Sequence, residues 1–186
     1  MKVNLYDFDN TIYKGDSSTD FFFYSLMKYP RIIKYVPRII KDAIRYKLKR
    51  ITKTEMKETN FSFLKSIPDV DNLVISFWQT HSCYIKNFYL EKKHDKDIII
   101  SASPEFLLKP ITDELKVMDL IGSKVNKLNG KFDGLNCHGE EKVKRLNKKY
   151  KDLVVLESYS DSLSDKPILE LAKHAYLVKG NKLTKF

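Results

Sequence analysis

Short, mostly apolar runs and longer stretches with apolar residues every three or four positions alternate along this chain. Val3-Asn4-Leu5-Tyr6, Ile98-Ile99-Ile100 and Leu153-Val154-Val155-Leu156 have the length and branching of buried strands. Between the first two, residues 17–29, 32–51, 54–64 and 70–91 carry the spacing of amphipathic helices. Downstream, Pro104 opens a helix to about residue 117, and Leu128-Asn129-Gly130 turns a hairpin between 124–126 and 131–133. Helix, strand, helix and strand then follow over 140–150, 153–157, 166–173 and 175–178. The alternation predicts an α/β fold, a doubly wound parallel sheet with a helical insertion after its first strand.

In such sheets ligands bind beyond the carboxyl ends of the strands, near the point where strand order reverses. Polar residues of one chemical kind gather there. Asp7 and Asp9 follow the first strand, and side chains two apart on an extended segment face the same way. Two carboxylates in one small volume need a cation or hydrogen-bond donors to offset their charge. Ser101 ends the next strand and Asp161 follows the strand that begins at Leu153. These positions point to metal-assisted chemistry.

Asp7-Phe8-Asp9-Asn10-Thr11 resembles the first motif of the haloacid dehalogenase-like (HAD) superfamily. Residues 97–103, ending Ser101-Ala102-Ser103, resemble the second motif; Gly139-Glu140-Glu141-Lys142 resembles the third, and residues 159–165, with Asp161 and Asp165, the fourth. The resemblance implies a Rossmann-like core over 1–12 and 95–186 and a helical cap over 13–94, as in the phosphoserine phosphatase-like subgroup. It also implies phosphate-ester hydrolysis through an aspartyl-phosphate, with Asp7 as nucleophile and Asp9 as general acid and base. Mg²⁺ is the expected cofactor, held by Asp7, the backbone carbonyl of Asp9 and Asp161. Asp165 would stand behind these ligands or pair with Lys142. Ser101 and Lys142 would hold the phosphoryl oxygens, with Asn10 as a further donor. Asp9 separates the chain from the dehalogenases, which lack a second aspartate. Singly, these residues also suit turns, helix caps and an exposed lysine, but turn chemistry does not explain their recurrence at successive strand ends.

The substrate is less sharply written. Asp16 stands at the offset where phosphoserine phosphatases carry a selective glutamate, yet Ser101-Ala102-Ser103-Pro104 and Ser160-Asp161-Ser162 depart from those enzymes' glycine-rich motifs. Residues 137–142 and 159–162 are more similar to bacterial phosphatidylglycerophosphate phosphatases of the same subgroup. The expectation is a Mg²⁺-dependent phosphomonoesterase acting on a small phosphorylated metabolite, phosphoserine or similar. A lipid phosphate at a membrane surface is the alternative.

A formal net charge of +10 favours anionic partners and raises a different class, a nucleic-acid-binding module. No nucleic-acid-binding motif or aromatic stacking pattern accompanies the charge, so no specific nucleic acid is expected. The bases concentrate on one predicted helix face, at Arg31, Lys34, Arg38, Lys41, Arg45 and Lys49, with Ile32, Ile33, Val36, Ile40, Ala43 and Ile44 on another. Such a helix can lie on anionic lipid; the favoured alternative packs its apolar stripe on Phe21-Phe22-Phe23 and leaves the bases in water. Cys83 and Cys137 give no disulfide framework or zinc pattern, and the four histidines lack ligand spacing. The catalytic strand begins almost at once and no run is long enough to span a bilayer, so a cytoplasmic protein, soluble or peripheral, is expected.

Overall fold

The computed structural model describes residues 1–186. β1 (Lys2–Tyr6) leads into five helices: α1 (Ser17–Lys28), α2 (Val36–Lys47), α3 (Lys53–Asn60), α4 (Val70–His81) and α5 (Asn87–Lys92). The chain then alternates through β2 (Asp97–Pro104), α6 (Glu105–Glu114), β3 (Asp119–Ser123), α7 (Glu140–Lys149), β4 (Val154–Ser160), α8 (Lys166–Leu169), β5 (Ala172–Lys179) and β6 (Lys182–Lys185). These strands form one sheet in the order β3-β2-β1-β4-β5-β6, parallel except for β6. The chain winds outward from β1 to one edge and then from β4 to the other. Strand order therefore reverses between β1 and β4, where the expected site residues converge.

Several boundaries differ from expectation. The helix expected over 32–51 is divided into a 3₁₀ segment, Pro30–Tyr35, and α2, because Pro37 has no amide to continue an earlier helix and is suited to the first turn of a new one. The 54–64 and 70–91 stretches likewise break into α3 with the 3₁₀ segment Ser62–Ser66, and α4 with Ser82–Tyr84 and α5. The hairpin near Gly130 is a single bridge between Val125 and Phe132. β3 and β6 were not expected, and the helix foreseen over 166–173 is the four-residue α8, because β5 already begins at Ala172.

Alternating side chains of β1 divide the core. Val3 and Leu5 join Ile98, Ile100, Ile121 and Leu146 beneath one face. Tyr6 and Phe8 join a cluster of 26 buried residues that also holds Phe77 and Trp78 of α4 and Leu107 and Leu108 of α6. Trp78 Nε1 donates to the Leu107 carbonyl at 2.6 Å. The helices between β1 and β2 thus share their apolar core with the sheet.

The orientation of α2 overturns the packing expected for it. Ile33, Ile40, Ile44 and Leu48 are 62%, 55%, 53% and 57% exposed, and the one buried residue of α2 is Asp42. Asp42 accepts hydrogen bonds from Arg45 Nη1 at 2.9 Å and Thr59 Oγ1 of α3 at 2.8 Å. Residues two apart on a helix point about 160° apart. Seating Asp42 against α3 therefore turns Ile40 and Ile44 outward. Of the apolar positions, Ile32 alone reaches the core. No helix is long and apolar enough to cross a membrane.

Candidate active site

The loop after β1 is tied at both ends. Asp7 N–H donates to the Tyr159 carbonyl at 2.9 Å, extending the β1–β4 pairing, while the amides of Ile12 and Tyr13 donate to the Phe8 carbonyl, both at 2.9 Å. Phe8 is fully buried and anchors the turn between the two aspartates. Asn10 takes a left-handed φ of 56°, a conformation its short polar side chain tolerates better than most. Thr11 then links the strand ends: its hydroxyl reaches Asp7 Oδ2 at 3.4 Å and accepts the Asp161 amide at 2.8 Å.

Asp7 and Asp9 occupy unlike surroundings. Lys142 Nζ contacts Asp7 Oδ1 and Asp165 Oδ2, each at 2.6 Å, and Ser160 Oγ donates to the same Asp165 oxygen at 2.9 Å. Burial opposes the Lys142 charge, but the two carboxylates outweigh it and hold the ammonium above the usual lysine value. Asp7 is pushed by burial up to about 6, with Lys142 pulling the other way and Asp165 adding to the rise. Asp9 meets no such cation. Ser17 N–H donates to its Oδ1 at 2.7 Å and Ser103 Oγ to its Oδ2 at 2.6 Å. Burial and the nearby Asp16 raise its pKa against those donors, favouring a retained proton. Asp161 is likewise raised to about 6, by burial and then by Asp7 and Asp165.

The remaining expected residues are distributed around this pair. Ser101 is buried, and its oxygen accepts the Ser103 amide at 3.0 Å, leaving its hydroxyl proton for a ligand. Lys142 lies one turn into α7 behind Gly139, whose φ of 57° and ψ of −126° set the helix's entry. Asp165 is brought to Lys142 as its second carboxylate. Asp16 caps α1, accepting the Thr19 amide at 2.8 Å. Asn10 lines a cavity of about 680 Å³ that it shares with Lys86 and Asp161.

Sequence reasoning missed Ser103, Thr11, Lys53 and Lys57. Lys57 Nζ donates to the Ala102 carbonyl at 2.8 Å, and burial lowers its pKa while Asp9 and Asp16 oppose the fall. Lys53, also lowered by burial, feels Asp165, Lys142 and Asp16. Their four-residue spacing places both on one face of α3. In a chain with 34 Lys and Arg that signal does not stand out. Both lysines and Asp16 line a cavity of about 440 Å³ whose other walls include Phe22, Phe23 and Met56.

No three acidic, thiol or imidazole side chains converge as a ready-made metal cage. A hard cation nonetheless suits the donors present. The Asp7 carboxylate raises the pKa of Asp161 across the strand ends, so an ion between them would relieve that repulsion, and Mg²⁺ is commonly held by one or two carboxylates while keeping waters.

Residues 5–170 match the family model for haloacid dehalogenase-like hydrolases. The chain belongs to that family. The fold of this HAD-like hydrolase is found again in solved structures. A protein of unknown function from Bordetella pertussis Tohama I superposes with a TM-score of 0.77 at 19% identity, over 94% of this chain and 88% of that one. A phosphoserine phosphohydrolase-like protein from Francisella tularensis gives 0.56 at 17%, covering 94% and 86%. A phosphoserine phosphatase with a phospho-aspartyl intermediate analogue gives 0.61 at 18%, covering 94% and 84%. Among curated proteins, none matches this hydrolase in sequence.

Proposed function

We propose that this HAD-like hydrolase cleaves phosphate monoesters through an aspartyl-phosphate on Asp7, in the cytoplasm, with residues 13–94 capping a site built by 1–12 and 95–186. The observation that carries this reading is the asymmetry of the pair, Asp7 ion-paired to Lys142 at 2.6 Å and Asp9 bonded directly only by neutral donors, the Ser17 amide and the Ser103 hydroxyl. In the first step an Asp7 oxygen bonds to phosphorus, the ester P–O bond breaks, and the Asp9 proton passes to the departing alkoxide. In the second, Asp9 takes a proton from water as that water attacks phosphorus, releasing inorganic phosphate and restoring the Asp7 carboxylate. Lys142 spends two of its three N–H donors on Asp7 and Asp165, and the third, with the Ser101 hydroxyl, serves the phosphoryl oxygens. Asp7, Asp161 and the Asp9 carbonyl would hold Mg²⁺, which when bound offsets the charge of the transferring group.

Asp16 beside the reacting carboxyl supports a small amino-bearing ester such as phosphoserine. The aromatic and aliphatic walls of the 440 Å³ cavity support a second reading, a phosphate ester with a hydrocarbon leaving group, as in a lipid phosphate. Phosphate release with Mg²⁺ from phosphoserine, sugar phosphates, nucleotides and phosphatidylglycerophosphate tests both. Preference for phosphoserine supports the first, preference for the lipid the second, and no release from any of them overturns the phosphatase reading.

A further inference from the structure

We infer that the outward face of α2 and the 3₁₀ segment before it is a docking surface for an anionic phospholipid bilayer. Ile40 and Ile44 lie one turn apart on α2, Ile33 stands on the 3₁₀ segment before it, and each is more than half exposed. Soluble surfaces rarely gather large apolar side chains this way without a partner. The stripe is held outward by Asp42, whose bonds to Thr59 and Arg45 secure the opposite side of the helix to α3. Charge identifies the occupant. Between Pro30 and Arg50 the chain has eight Lys or Arg and a single acid, Asp42, which is turned inward. A second copy of this chain pairing through the same stripe would set these bases against their equivalents, a repulsive arrangement. An anionic bilayer instead offers hydrocarbon to the isoleucines and headgroup charge to Lys41 and Lys47, the exposed bases that flank Ile40 and Ile44 on the helix. Ile39 of α2 and Phe23 of α1 both line the cavity beside Lys57, so that cavity adjoins the docked helix. The docking inference stands on the surface alone and does not depend on the phosphatase reading.

Vesicle co-sedimentation of the full chain tests it. The wild-type protein should pellet with phosphatidylglycerol-containing vesicles at low salt, weakly at high salt, and not with phosphatidylcholine alone. Ile40→Ser with Ile44→Ser should weaken the affinity by about tenfold or more, while keeping wild-type circular dichroism and thermal midpoint, because neither side chain is buried. Lys41→Gln with Lys47→Gln should weaken it by roughly fivefold per charge at low salt. Absence of wild-type binding at low salt, or undiminished binding by the isoleucine pair, overturns the inference. A solution dimer that the isoleucine substitutions dissolve would also overturn it, assigning the stripe to a second copy.

Discussion

Asp7 and Asp9 are separated by one residue and by the company each keeps. Lys142 beside Asp7 offsets only part of the rise that burial imposes on it, and Asp7→Asn should abolish turnover and leave no phosphoenzyme to trap. Asp9→Asn keeps the backbone carbonyl but loses the proton relay, and turnover should fall by about a hundred- to ten-thousandfold. Rapid-quench measurement of labelled enzyme distinguishes the two. Asp161→Ala should raise the Mg²⁺ concentration needed for half-maximal activity, and EDTA should silence the wild type; activity persisting after rigorous chelation would remove Mg²⁺ from the reaction. Far from the site, Asp97 is wholly buried at the start of β2, and burial lifts it from an ordinary 3.8 to about 6 despite the His94 amide and Asn4. The folded protein therefore binds this proton more tightly than the unfolded chain. That stabilisation is complete below pH 3.8 and disappears as pH rises through about 6, leaving a cost of up to about 3 kcal/mol in the ionised form. Asp97→Asn, which can still accept from the His94 amide, should melt above the wild type at pH 7.5, the gap closing near pH 4.

At the scale of elements, the approach to α7 rests on one backbone conformation. Gly139 combines φ 57° with ψ −126°, which side-chain-bearing residues avoid, and an added Cβ would meet only the Ser164 carbonyl, at 3.5 Å. The cost of Gly139→Ala therefore comes from the backbone, about 1–3 kcal/mol, or roughly 2–4 °C of melting temperature per kilocalorie. Activity should fall as well, because Lys142 begins its course from this residue; differential scanning fluorimetry and phosphate release check the two effects together. The strands beside the switch point were legible because Ile98-Ile99-Ile100 is apolar and buried throughout and Leu153-Val154-Val155-Leu156 is apolar and branched, although only Val155 of it is buried. β3 was not, since Asp119-Leu120-Ile121-Gly122-Ser123 is short, opens on a charge and contains glycine, and its place comes from pairing with β2. β6 alternates only weakly over four residues and depends on β5. Periodicity found the apolar stripe of α2 but gave its direction wrongly, because two hydrogen bonds to Asp42 decide it and neither leaves a trace in spacing. Lys57 and Ser103 were hidden for a related reason: tertiary contact with Ala102 and Asp9 gives them their place in the site.

Across the whole molecule, the alternation of strands and helices predicted the doubly wound sheet, while the 440 Å³ cavity came only with the packing of α1 against α3. The shared apolar core also governs how the helical segment behaves. Phe77 and Trp78 are buried with Tyr6, Phe8 and Leu107, so α4 cannot leave the sheet without exposing the centre of the protein. Trp78 is the chain's single tryptophan, and its ring meets Phe8, the residue between the two aspartates, edge-on at 5.9 Å. The protein thus carries an intrinsic fluorophore one side chain from this pair of aspartates. Its emission should be blue-shifted in the native state and stay so on addition of a phosphate ester, if α4 remains seated. In a urea titration the red shift should coincide with the loss of far-ultraviolet ellipticity in one transition; an earlier red shift would mean that the helices peel from the sheet before the fold is lost.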